Sequence, residues 1–118
     1  MPICTFRVST GPHQSTNHRT VTVEPVKGPR SHGAGIYAAL LDYNPDTGEL
    51  TRLTGPNRYR TVSVHNRSGT IKVSGIVEKA ADVAWLLYTG HRPTGRVYPV
   101  NGHVTDIRIC NLRMEVIV

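Results

Sequence analysis

RVYPVNGHVTDIRICNLRME, residues 96–115, carries the strongest local signals in the chain. Asn101-Gly102 sits between two short apolar runs, 96–100 and 103–107. An Asn-Gly pair in that setting predicts a tight β-hairpin, because both residues tolerate the positive φ of a primed turn. From Asp106 onward the apolar positions Ile109 and Leu112, with Arg113, fall on successive helical turns, so residues 106–115 are expected to be a helix. The C-terminal third thus reads as hairpin then helix, a ββα unit. Leu112 would pack in its core, Asn111 would cap the helix and Arg113 would face solvent.

Working back along the chain, residues 78–89 predict a second helix. Ala80, Val83, Ala84, Leu87 and Tyr88 recur at helical spacing, Trp85 adds bulk, and Gly90 suits a left-handed C-terminal cap. Residues 59–65 and 70–74 predict strands joined by the turn Asn66-Arg67-Ser68-Gly69. Their polar positions are basic, which predicts one wet, positive sheet face. Residues 49–53 alternate as a strand after the turn Asn44-Pro45-Asp46-Thr47-Gly48. Residues 34–42 predict a short helix that ends before Pro45. Segments 4–9 and 20–24 alternate with period two and predict strands, with polar, Gly- and Pro-rich connections at 10–19 and 25–33. The expected class is α+β, built of small antiparallel sheets with short helices. Two parts are expected: an N-terminal hairpin or arm over 1–33 and a domain over 34–118.

The chain has 118 residues, one domain's worth. No run of about 18 apolar residues is present, and Met1-Pro2-Ile3-Cys4 lacks the basic and apolar regions of a signal peptide. A cytoplasmic protein is expected. Two cysteines and no Cys-x-x-Cys pair give no structural zinc site. Cys4 and Cys110 are expected as free buried thiols, with a single bridge between them as the alternative.

Charge narrows the partners. Fourteen Lys and Arg face eight Asp and Glu, leaving +6. Arginine dominates, and its planar fork suits phosphate. A polyanion or an acidic protein surface is the expected partner. Each arginine taken alone is equally well read as part of a solvated face.

A series of motifs adds a family resemblance. It runs from Leu40-Leu41-Asp42-Tyr43-Asn44-Pro45-Asp46-Thr47-Gly48-Glu49-Leu50-Thr51 through Val73-Ser74-Gly75. It continues with Val83-Ala84-Trp85-Leu86-Leu87-Tyr88-Thr89-Gly90, Arg92-Pro93-Thr94-Gly95 and residues 101–113. Over about residues 36–113 the chain resembles phage-type HNH homing endonucleases. The resemblance implies a ββα frame around one divalent metal, in which an Asp-His pair supplies a metal ligand and a general base. That pair falls on Tyr98 and Pro99, neither of which acts as a base at neutral pH. The family's other His falls on Ala81. Asn111 matches the Asn that orients the base. The last ligand is expected several residues further on, and the chain ends at Val118. General-base catalysis is worth about 10²–10⁴ in rate, so the resemblance implies a frame without a metal site, cofactor or catalytic residue.

Three functions follow as expectations. The first is an inactive HNH-like phage protein that binds DNA. Arg58, Arg60, Arg67 and Lys72 would act from the central strands, and Arg92, Arg96, Arg108 and Arg113 from around the ββα unit. The second is a phage inhibitor docked on a host nucleic-acid-handling protein such as a nuclease, a polymerase or a CRISPR effector. Its N-terminal arm would be the docking device. The third is a residual metal-dependent nuclease in which His103, just past the hairpin turn, substitutes for the lost base. His103 is otherwise a surface turn residue.

Overall fold

The fold is that of a computed structural model, which describes residues 19–28 and 35–118. Its elements in chain order are β1 (Thr20–Val23), α1 (Gly35–Leu40), β2 (Leu41–Tyr43) and β3 (Leu50–Arg52). There follow β4 (Thr70–Val73), β5 (Ile76–Lys79), α2 (Ala80–Thr89), β6 (Arg96–Pro99), a 3₁₀ turn (Ile109–Asn111) and β7 (Leu112–Ile117). Among the described residues the class is α+β, as expected, with one three-stranded and two two-stranded antiparallel sheets. No helix among the described residues is long and apolar enough to cross a membrane.

The helix α2 organises the core. Ala80, Ala81, Val83, Ala84, Trp85, Leu86 and Leu87 are all buried, so the helix is covered around most of its circumference. It packs against α1, β2, β5, β6 and the 3₁₀ turn. Gly90 ends it at φ 81°, donating its N–H to the Leu86 carbonyl, as its sequence position predicts. The start differs from the expectation. Glu78 and Lys79 belong to β5, where they pair with Ile71 and Thr70.

The β4–β5 hairpin was not legible as such. Its two-residue connection, Ser74-Gly75, takes φ 51° and 79°, the primed geometry whose twist matches the flanking strands. The β2–β3 hairpin follows the expected turn. The Asn44 side chain accepts from the N–H groups of Asp46 and Thr47 at 3.0 and 3.3 Å. Gly48, at φ +77°, closes the turn where the backbone of Ile107 and Arg108 passes.

The C-terminal third corrects the ββα expectation. After the 3₁₀ turn the chain enters β7, and no helix forms there. Leu112 and Met114 are buried while Arg113 and Glu115 alternate with them, a period-two pattern that outweighs the helical spacing. The strand β6 pairs with β7, not with 103–107, and the sheet order is β1-β7-β6. The Asn101-Gly102 turn is closed by the Gly102 N–H on the Pro99 carbonyl, 3.1 Å away. Asn101 does not take the positive φ that a primed hairpin turn requires. Residues 103–108 are therefore irregular. The expected strand at 59–65 is also absent. That stretch forms a loop with one bridge, Thr51 to Thr61.

The expected strand at 20–24 forms as β1, on the edge of the three-stranded sheet, with Thr20 opposite Ile117 and Val23 opposite Met114. The expected strand at 4–9 and the connection at 10–18 lie outside the described residues, as does Cys4. Cys110 is disulfide-bonded, which corrects the expectation of a free thiol there.

Candidate functional site

The predicted site residues separate into three groups. The first is structural. Asn111 is fully buried and its carboxamide holds the loop between β6 and β7. Its Nδ2 donates to Asn101 Oδ1 and to the Asp106 carbonyl, both at 2.9 Å, while its Oδ1 accepts the Asn101 N–H at 3.1 Å. Asn101 in turn donates through Nδ2 to Asp106 at 2.9 Å and accepts the His103 N–H at 2.9 Å. A buried amide with every group matched rigidifies its surroundings. This corrects the expected helix-cap role, since no helix follows. His103 is exposed, and Tyr98 and Pro99 sit in β6 opposite Arg113 and Leu112. Among the described residues no three His, Cys, Asp or Glu side chains converge as metal ligands.

The second group is four arginines held by neighbours within the fold. Arg108 grips Asp106 through two nitrogens, at 2.8 and 2.7 Å. That fork holds the Asp106 carboxyl below the usual carboxylate range and raises the Arg108 guanidinium further. Arg92 pairs with Glu78 at 2.6 Å and lies over the Tyr37 ring. The Tyr37 hydroxyl donates to that same Glu78. Arg96 lies over the Tyr98 ring, with Glu115 opposite it across the sheet. Arg113, expected in solvent, has a side chain only 11% exposed. It donates to the carbonyls of Cys110 and Leu112 and lies 3.7 Å from Glu24. Arg92, Arg108 and Arg113 are thus paired with carboxylates of the protein itself, whereas Arg96 is exposed and, among the described residues, has a ring contact but no ion pair.

The third group is Arg58, Arg60, Arg67 and Lys72. All four are exposed. Among the described residues none is within ion-pair distance of a carboxylate. Arg58 and Arg60 ride on the loop after β3, Arg67 on the turn 66–68, and Lys72 on the open face of β4. The turn is built locally, because His65 Nδ1 accepts the N–H groups of Arg67 and Ser68 at 3.3 and 3.2 Å. The expectation that all four act from the central strands therefore holds for Lys72 alone, while Arg58, Arg60 and Arg67 lie on loops and a turn.

A signal within the sequence explains this group. Residues 50–77 contain Arg52, Arg58, Arg60, Arg67 and Lys72 and no Asp or Glu. The rest of the chain is nearly neutral, nine cations against eight acids. The excess positive charge is therefore concentrated on one segment, and that segment is largely exposed.

Two features of the segment were missed as site elements. A recess of about 230 Å³ is lined by Leu40, Arg52, Thr54, Asn57, Val73 and Ser74, among others. On the same loop, the Tyr59 N–H donates to the Arg52 carbonyl at 2.7 Å. The available signals were the Gly55-Pro56-Asn57 turn sequence and a tyrosine between two arginines.

Comparison with protein-family models, curated proteins and solved structures finds no match to this chain.

Proposed function

We propose that this chain is a DNA-binding protein without nuclease chemistry, contacting phosphate through Arg52, Arg58, Arg60, Arg67 and Lys72. One observation carries the reading: residues 50–77 hold five cations and no acid. Of these, Arg58, Arg60, Arg67 and Lys72 are exposed. Arg92, Arg108 and Arg113, engaged by Glu78, Asp106 and Glu24, move from the expected interface to the scaffold. The motif series at 40–113 supports an HNH-type, phage ancestry. The hairpin–helix unit is no part of that support.

Phosphate contacts position a protein on DNA without reading sequence. Binding is therefore sequence-tolerant and salt-dependent. With five contacts, affinity for a duplex falls roughly 10²–10³-fold between about 50 and 200 mM salt. Fluorescence anisotropy across that range tests it. Each Ala substitution in the segment should lower the salt slope by roughly 0.9. No binding at micromolar protein in low salt overturns the reading.

A second reading has one observation in its favour. Ile76 and Val77 are exposed, and Val77 lies opposite Lys72. Apolar surface beside a cation suits an acidic face of a host nucleic-acid-handling protein. Capture of such a protein from nuclease-treated lysate, surviving high salt, would favour this reading over DNA.

A further inference from the structure

Tyr59 is held in an arrangement that the fold itself does not reward. The residue is 74% exposed, so core packing does not account for it. Its backbone lies at φ 68°, the left-handed region where a bulky side chain clashes with the following carbonyl. Among the described residues only Ser74 shares this departure outside glycine, and Ser74 is part of a tight hairpin turn. Glycine is the default where a loop needs such a φ. Position 59 closes the loop after β3. Its N–H meets the Arg52 carbonyl, while the Arg52 N–H meets the Arg60 carbonyl at 3.0 Å. Strained backbone of this kind persists where it serves a site.

The surroundings say what the site takes. Arg58 lies 6.0 Å from the ring centroid, and Arg60 follows directly. Arg52, whose carbonyl anchors Tyr59, also lines the recess with Thr54, Asn57 and Ser74. An exposed ring with guanidiniums on either side of it in the loop makes a stacking platform with charge alongside, near a recess that Leu40, Pro56 and Val73 also line. A duplex already stacks its bases on one another and offers only edges and phosphates. An unpaired base offers its flat face, and aromatic rings between cations are how single strands are held.

Building on the DNA-binding reading, we infer that Tyr59 stacks an unpaired base and that the ligand is single-stranded DNA. Arg58 and Arg60 take the flanking phosphates.

The test measures the anisotropy of a labelled oligonucleotide, alone and annealed to its complement, against the full chain and three variants. The native chain should bind the single strand more tightly than the duplex. Tyr59→Gly should weaken single-strand binding by about tenfold and leave duplex binding unchanged. Tyr59→Phe, which keeps the ring, should retain the affinity. Arg67→Ala should weaken both ligands. Thermal unfolding of Tyr59→Gly should hold or rise, because glycine relieves the left-handed backbone, so lost binding is not lost folding. Unchanged single-strand affinity in Tyr59→Gly, with Arg67→Ala still weakening both ligands, overturns the stacking inference and leaves DNA binding standing. No binding of either ligand by the native chain overturns both.

Discussion

The carboxamides of Asn101 and Asn111 face each other across the loop joining β6 to β7. Asn111 Nδ2 donates to Asn101 Oδ1 at 2.9 Å, and the Asn101 N–H returns a bond to Asn111 Oδ1 at 3.1 Å. Asn111 is fully buried, so this pair stands in for the main-chain pairing that a hairpin would have supplied. Replacing Asn111 by Leu keeps the branched outline but adds volume, and it strands the Asn101 N–H and the Asp106 carbonyl. The expected loss is about 2–4 kcal/mol of stability, read from urea unfolding. Combining it with Asn101→Ala should cost less than the two single losses added, because both changes break one network.

Asp106 makes the same loop acid-sensitive. Its carboxyl is held low, first by the Arg108 side chain and next by the Asn101 side chain, against the cost of partial burial. The folded value lies below the unfolded one, so the stabilisation is present at neutral pH. It is lost as pH falls through the depressed folded value, below about pH 4. In Asp106→Asn the melting temperature should be lower than native at pH 7, and the gap should close in acid. A constant gap at every pH would count against the Arg108–Asp106 pair as its source.

Arg113 separates folding from binding. Its Nε is buried with no hydrogen-bond partner among the described residues, while one terminal nitrogen holds two carbonyls. Arg113→Ala should cost about 1–3 kcal/mol in denaturant unfolding and leave the salt slope of DNA binding unchanged. Lys should not restore the stability, since an ammonium does not reproduce the planar fork. A reduced salt slope would return Arg113 to the interface.

Gly48 marks where the β2–β3 turn meets the strand-linking loop. A Cβ there would stand 2.8 Å from the Arg108 backbone nitrogen, and the residue holds φ +77°. Gly48→Ala therefore strains the turn and pushes on backbone that cannot yield cheaply. A loss of about 2 kcal/mol or more is expected, seen as a lowered thermal midpoint. Gly102→Ala, also at positive φ but with nothing within 4 Å of its added carbon, should cost less.

Several elements are set by local signals. The helix α2 shows in its apolar spacing and ends at Gly90 because that residue alone accepts the cap geometry without cost. The Asn44–Gly48 turn is built from its own side chains, and β1 alternates as strands do. Charge also belongs to this level: the acid-free segment 50–77 can be counted without coordinates. The Ser74-Gly75 hairpin escaped because β5 runs straight into α2. Glu78 and Lys79 suit either element, and nothing nearby marks the boundary.

The sequence alone thus determined the α+β class, the central helix, its stop, and the segment carrying the excess charge, because each rests on contacts within a few residues. Tertiary structure decided the rest. Residues 112–117 can alternate as a strand or wind as a helix. The strand wins because Leu112 and Met114 reach the core while both edges of the segment find partners, in β1 and β6. The same long-range pairing buries Asn111 and Arg113 as scaffold. It leaves Arg58, Tyr59 and Arg60 on the surface, where a ligand can reach them.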